Sequence, residues 1–111
     1  MLVIFSGPQP PDISIHKAAF DGNIEAVKQH LAAGTDVNAK NKRGRTPLYS
    51  AVEEGRKKMV ELLIAEGANV NAKSRFGVTP LDWAIQMNRT FGDAQPSGDE
   101  IANLLRKHGA K

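Results

Sequence analysis

The chain has 111 residues, of which 41% are hydrophobic and 5% aromatic, and its formal net charge is +3. This length predicts a single domain, and the scarcity of aromatic residues favours thin stacked layers over one large core. The lack of cysteine excludes disulfides and thiolate zinc sites, and no apolar run approaches the roughly 18–20 residues that a membrane-spanning helix needs. The sequence indicates no compartment, and the cytoplasm is the default assignment.

The first twelve residues form an arm that differs in composition from everything after it. Its apolar start has a strand-like composition, whereas the prolines that follow exclude a regular helix or a central strand. We expect residues 1–12 to cover the open end of the structural unit next to them. The alternative is self-association through the exposed apolar residues Leu2, Val3, Ile4 and Phe5.

After the arm, identical residues recur at one fixed offset. Thr46 and the Pro-Leu that follows it return at Thr79, a shift of 79 − 46 = 33 residues. The same offset relates further pairs: Lys40 and Lys73, Asn38 and Asn71, Gly44 and Gly77, Ala51 and Ala84. A 33-residue period that begins with Thr-Pro-Leu is the signature of the ankyrin unit. Residues 13–111 therefore resemble the ankyrin-repeat family, with repeats at about residues 13–40, 41–73 and 74–111.

The first repeat predicts two helices. Either Asp12 or Ser14 can cap the first helix by accepting a backbone N–H, and Gly22 is expected to end it. An amphipathic second helix follows over residues 24–33.

The second repeat is the most complete. Thr46 is the predicted cap, and Pro47 occupies the first helical position, where a missing N–H costs nothing. Gly55 and Gly67 are expected to end the two helices. The small side chain of Ala51 allows close packing, and a larger one there would overpack the layer.

The third repeat departs from the pattern. Asn88 stands where a turn glycine is expected, and Gly109 lies 109 − 67 = 42 residues after its counterpart, which implies nine inserted residues. The Gly, Pro and Ser content of residues 88–98 predicts a loop there. A last helix is expected over about residues 99–107, after a capping box. The resemblance implies an all-α ankyrin-repeat solenoid of three helix-turn-helix units with β-hairpin fingers.

No set of residues predicts catalysis, a cofactor or a metal site. His16, His30 and His108 fall at different repeat positions, and the resemblance implies a structural hydrogen bond for His16. We expect His30 on an outer helix face. Asn38 and Asn71 share one repeat position, at which the family uses the side chain to bond nearby backbone. We expect a protein that is not an enzyme.

Two repeats lack the histidine of the Thr-Pro-Leu-His motif. Tyr49 replaces it in the second repeat and Asp82 in the third. Either these residues bond in another way or they were changed for a partner. Trp83, the only tryptophan, is expected to pack in the core, and the alternative is a binding hot spot.

The resemblance implies protein binding through the finger tips and the exposed face of each first helix. The tip residues are Lys40, Lys42, Arg43, Arg45, Lys73, Arg75, Phe76 and Val78, and the helix residues are Phe20, Asp21, Glu53, Glu54, Gln86 and Met87. Six cations in the tip row would attract an acidic protein segment, with Phe20, Phe76 and Met87 as apolar anchors. The alternatives are nucleic-acid binding by the same row, a spacer role within a longer repeat protein, and tip cations that serve only solubility.

Overall fold

The computed structural model describes residues 13–91 and 97–110. Six α-helices occur in these residues: α1 (Ile15–Asp21), α2 (Ile24–Ala32), α3 (Pro47–Glu53), α4 (Lys57–Ala65), α5 (Pro80–Phe91) and α6 (Ser97–Lys107). The arm of residues 1–12, with its proposed self-association segment, lies outside the described residues. So do residues 92–96 of the insertion.

The helices pair within each repeat and stack between repeats. Helix α1 packs against α2, α3 against α4, and α5 against α6. Helix α3 also contacts both α1 and α5, so that the three first helices lie side by side, and α4 contacts α6. Each apolar face is therefore buried against a neighbouring repeat, as in other repeat solenoids. The all-helical architecture predicted from the 33-residue period is confirmed.

The first helix of each repeat begins at an equivalent capping residue. The hydroxyl groups of Ser14, Thr46 and Thr79 each accept a hydrogen bond from the backbone N–H three residues later. At Thr79 the bonding is reciprocal, because its own N–H donates to the Asp82 carboxylate over 3.1 Å. This is the capping-box arrangement. Asp82 therefore satisfies the helix start in place of the motif histidine.

The core follows the predicted inward positions. Small alanines and branched aliphatic residues fill it, and Ala51 and Ala84 are fully buried where paired helices approach. The fully buried members include Val27, Leu48, Val52, Val60, Leu63, Ile101 and Leu105. These residues come from all three repeats and form one continuous cluster.

The fingers are tight turns, and the expected β-hairpins are not seen. We call residues 40–45 finger 1 and residues 73–78 finger 2. In finger 1 the Asn41 N–H donates to the Arg45 carbonyl over 3.0 Å, and in finger 2 the Ser74 N–H donates to the Val78 carbonyl over 2.8 Å. One closing bond between residues four apart does not make a strand ladder. No strand occurs in the part of the chain that the structure describes.

The flanking helices extend further into residues 88–98 than the prediction of a loop there allowed. Helix α5 continues through Asn88 to Phe91, and α6 already begins at Ser97. Asn88 stands at the repeat position of Gly55, which ends the first helix of the second repeat. Because α5 lacks this glycine, it does not end at the equivalent position.

His30 is buried, contrary to the prediction of an outer position. Its side chain is 7% exposed. Nε2 donates to the Ile13 carbonyl over 2.6 Å, and Nδ1 lies 3.1 Å from the Thr35 hydroxyl. His30 thus fixes the entry to α1 and the exit from α2 at once. A helical period shows which residues share a face, but it does not show that these two ends meet there.

Asn38 and Asn71 tie each repeat to the next. The Asn38 Oδ1 accepts from the Asn69 N–H over 2.7 Å, and the Asn71 Nδ2 donates to the Gly109 carbonyl over 3.1 Å. Both side chains bond backbone, as the family resemblance implied, but that backbone belongs to the next repeat and not to nearby residues.

Candidate functional site

A groove of about 380 Å³ lies between α1, α3 and finger 1. Five of the residues predicted for partner binding line it together: Phe20, Lys42, Arg43, Arg45 and Glu53. The prediction did not include four further lining residues: His16, Lys17, Asn41 and Ser50. The structure thus brings the first-helix face and the finger tip together in the first two repeats.

The 33-residue offset contains a signal for two of the missed residues. Lys17 and Ser50 occupy the same repeat position, one residue after the motif histidine or its replacement. Trp83 is the third member of this set, since 83 − 50 = 33. It was assigned to the core because its repeat position is normally an inward apolar site. In the structure Trp83 is half-buried and packs against the core cluster, although its Nε1 has no hydrogen-bond partner among the described residues.

His16 supports the groove from its edge. Its Nε2 donates to the Ala39 carbonyl over 2.7 Å. This bond joins α1 to the chain entering finger 1, which is the structural role that the motif implied.

Ion pairs neutralise the helix walls of the groove. On α1, Lys17 Nζ lies 2.9 Å from the Asp21 carboxylate, and on α3, Arg45 Nη1 lies 3.2 Å from the Glu53 carboxylate. Both groups of the second pair are mostly buried. The acidic residues predicted for the helix row are therefore matched by cations, apart from the exposed Glu54 at the end of α3.

Arg45 is held in place from two sides. Its guanidinium carbon lies 4.8 Å above the centre of the Tyr49 ring, a distance at which a cation and an aromatic face attract each other. The Tyr49 ring in turn lies 6.0 Å from the Trp83 ring, within the range of favourable aromatic pairs. Arg45, Tyr49 and Trp83 thus form a stack that joins finger 1 to the third repeat.

Burial raises the pKa of the Tyr49 phenol above its ordinary value of 10.0, with the nearby Arg45 charge acting in the opposite direction. The unfolded chain therefore ionises first as the pH rises. We expect the stability contributed by neutral Tyr49 to be complete below pH about 10 and to be lost as the pH rises through the folded pKa.

Tyr49 is the only tyrosine, so the absorbance of tyrosinate reports its ionisation directly. The native midpoint should lie above the midpoint measured in urea. Equal midpoints would contradict the expectation. Tyr49→Phe has no tyrosine, so its absorbance gives the background to be subtracted.

The finger tips carry positive charge that no described carboxylate balances. Lys40, Lys42 and Arg43 of finger 1 are exposed, as are Lys73 and Arg75 of finger 2. None of these five side chains forms an ion pair within residues 13–91 and 97–110. Arg45 differs from the other cations of the tip row because its charge is already paired.

The two fingers are joined by their backbones. The Arg75 N–H donates to the Arg43 carbonyl over 3.0 Å. Gly44 has a φ of +72°, and a Cβ added to it would lie 2.7 Å from the Arg75 backbone nitrogen. Arg43 and Arg75 are therefore held next to each other.

Phe76, Val78 and Gln86 were also predicted for partner binding, and none of them lines the groove. Phe76 is 79% exposed, and the Arg75 guanidinium carbon is 6.0 Å from its ring centre. Val78 is half-buried, and Gln86 is exposed on α5. The side chain of Met87 lies outside the described part of the structure.

The described residues contain no group of three His, Asp or Glu side chains placed to hold a metal ion. Among them, no helix is both long enough and apolar enough to cross a membrane. The expectations of no catalysis, no cofactor and no metal stay predictions.

Comparison with known proteins supports the repeat assignment. A similar protein is the acyl-CoA-binding domain-containing protein 4 of Oryza sativa subsp. japonica, which is 49% identical over 39 residues. The aligned part covers 35% of this chain and 12% of the rice protein, so the chain is similar to one section of that protein. A family model for ankyrin repeats in three copies matches residues 15–111. Because this match covers most of the chain and agrees with its three stacked helix pairs, the chain belongs to the ankyrin-repeat family.

Proposed function

We propose that this protein is a non-catalytic binding module that holds an acidic segment of a protein partner in the groove and on the finger tips. Ankyrin repeats are generally protein-interaction modules. The observation that supports the acidic partner is the uneven charge balance of this surface. Ion pairs neutralise the helix walls, whereas Lys42, Arg43 and Arg75 have no carboxylate partner in the described residues.

Apolar anchors accompany these cations. Phe20 is 40% exposed beside the groove, and Phe76 is exposed at the tip of finger 2. Interfaces commonly combine a few desolvated aromatic anchors with a charged rim. In this proposal Phe20 and Phe76 supply the contact area, and the finger cations steer the partner and set its orientation.

The role of Arg45 differs from that of its neighbours. Its guanidinium is shared between Glu53 and the Tyr49 ring. A partner carboxylate would have to compete with Glu53 for it. We therefore assign Arg45 to shaping the groove wall and assign the contacts with the partner to Lys42, Arg43 and Arg75.

A double charge reversal tests the proposal. The probe is a fluorescein-labelled twelve-residue peptide of alternating glutamate and leucine. We expect Lys42→Glu with Arg43→Glu to weaken its binding at least about tenfold and to flatten the salt dependence of association, because steering cations become repelling anions. Fluorescence anisotropy and stopped-flow association at several salt concentrations measure both effects.

The matched control reverses Lys28 and Lys107, two exposed cations on α2 and α6. It changes the net charge by the same amount and should leave binding within about twofold. Equal losses for the two double variants would mean that net charge alone governs binding, and the proposal would fail. A random DNA duplex serves as a second probe, and tighter binding of the duplex than of the peptide would favour the nucleic-acid alternative.

A further inference from the structure

The Ser50 hydroxyl is a hydrogen-bond donor in the wall of the groove. The residue is 6% exposed and lines the groove on α3. Its hydroxyl makes no hydrogen bond to any described residue, although every other polar residue counted among the buried ones makes one. Its oxygen is not among the described side-chain atoms that are both fully buried and unbonded, so water or a ligand in the groove can reach it. A molecule in the groove can therefore take the Ser50 hydroxyl as a hydrogen-bond donor.

The surroundings of Ser50 indicate what kind of atom would accept that hydrogen bond. Lys42 and Arg43 line the same groove and lack carboxylate partners among the described residues. A hydroxyl that donates beside two unpaired cations suits an anionic oxygen acceptor. Glu53 is the carboxylate of this groove, and Arg45 already binds it.

Phe20 adds an apolar surface to the same groove. Its exposed ring lies on α1, and Ser50 lines the same groove from α3. The partner's acidic side chain that contacts Ser50 and its apolar side chain that contacts Phe20 can therefore belong to neighbouring residues of one extended segment. Successive side chains of such a segment are about 3.3 Å apart along the chain and point to opposite sides.

We propose that the groove contains a carboxylate subsite formed by Ser50, Lys42 and Arg43, with an apolar subsite at Phe20 next to it. The occupant is a short extended segment of a partner protein in which an acidic residue lies next to an apolar one. This inference rests on the proposed function and narrows it. A broad acidic surface would engage the exposed finger tips but would not reach Ser50, which only a protruding side chain can contact.

The test uses three acetylated six-residue peptides based on glycine. The first carries aspartate followed by leucine, the second replaces the aspartate with asparagine, and the third replaces the leucine with serine. Binding to the full ¹⁵N-labelled chain is followed by amide chemical shifts, which report weak binding. For the first peptide we expect the largest shifts at Ser50, Phe20 and Lys42, and weaker binding of the other two.

Ser50→Ala removes the hydroxyl and keeps a good helix former. We expect it to weaken the aspartate peptide about tenfold, because a hydrogen bond to a charged group is lost, and to leave the asparagine peptide within about twofold. Thermal unfolding of the variant verifies its fold. The wild-type shifts test the subsite without any substitution.

The outcomes separate the subsite from the proposed function. If the Lys42 and Arg43 reversal abolishes binding of the aspartate peptide while Ser50→Ala does not change it, the subsite is overturned and the proposed function stands. Shifts confined to the fingers lead to the same conclusion. If neither the aspartate peptide nor the longer acidic probe binds the wild-type chain, the subsite and the proposed function are both overturned.

Discussion

Replacing Gly44 with alanine should lower the free energy of unfolding by about 2–4 kcal/mol. Part of this loss, roughly 1–2 kcal/mol, comes from placing an L side chain in the left-handed region at φ +72°. The rest comes from a new Cβ 2.7 Å from the Arg75 nitrogen. Finger 2 must move away, and the bond from the Arg75 N–H to the Arg43 carbonyl is then lost. For a domain whose total stability is typically about 5–15 kcal/mol, this is a large fraction.

Gly77→Ala is the matched control for Gly44→Ala. Gly77 occupies the same repeat position with a φ of +78°, but an added Cβ there meets nothing within 4 Å. Gly77→Ala should therefore lower the free energy of unfolding only by the cost of an L side chain in the left-handed region, about 1–2 kcal/mol. Urea unfolding of both variants, followed by circular dichroism, gives the difference. Equal losses would show that the close contact between the fingers contributes nothing. The acidic probe should also bind more weakly to Gly44→Ala, because the spacing of Arg43 and Arg75 changes.

Tyr49→Ala should be the most destabilising single change considered, at about 3–5 kcal/mol. The Tyr49 side chain is only 2% exposed and lies between the Arg45 guanidinium and the Trp83 ring. Its removal leaves a cavity between the second and third repeats and frees Arg45 from one of its two contacts. Urea unfolding followed by circular dichroism measures the loss, since the fluorescence of Trp83 is itself affected.

Tyr49→Phe provides the control because it keeps the ring and removes only the hydroxyl. It should cost less than about 1.5 kcal/mol, the upper end of the usual net value of one hydrogen bond, because the described residues bond the Tyr49 backbone N–H and not its hydroxyl. A double-mutant cycle of Tyr49→Ala with Trp83→Ala should give a coupling energy of about 0.5–1.5 kcal/mol for the aromatic pair. A loss for Tyr49→Ala as small as that for Tyr49→Phe would rule out a structural role for the ring stack.

Tyr49 and Asp82, which occupy the motif-histidine position in the second and third repeats, were predicted only in part. The repeat offset identified Tyr49 and Asp82 as departures and left open whether they bond differently or serve a partner. The structure shows different bonding, since Asp82 completes a capping box with Thr79 and Tyr49 supports Arg45. The bonds between Thr79 and Asp82 follow the Thr-x-x-Asp capping pattern and are local. The contact of Tyr49 with Trp83 joins two repeats, and no pattern of residue types specifies it.

The candidate groove was predictable in part. The family resemblance selected Phe20, Lys42, Arg43, Arg45 and Glu53, which the fold brings together. It treated Arg45 and Glu53 as independent contacts for a partner, although they bind each other. Ser50 was missed although the offset places it at the same repeat position as Lys17, because its exposure and its hydrogen bonds are known only from the structure.

The sequence by itself determined the three-repeat solenoid, because a 33-residue period with capping residues and small residues at fixed positions repeats the same local structure. It also indicated five of the residues that line the groove: Phe20, Lys42, Arg43, Arg45 and Glu53. Only the tertiary structure decided that the helix walls are neutralised, that His30 is buried and that the two fingers touch. The reason is physical: caps and periodicity act over a few neighbouring residues, whereas ion pairing, burial and close backbone contacts depend on how separate repeats come together.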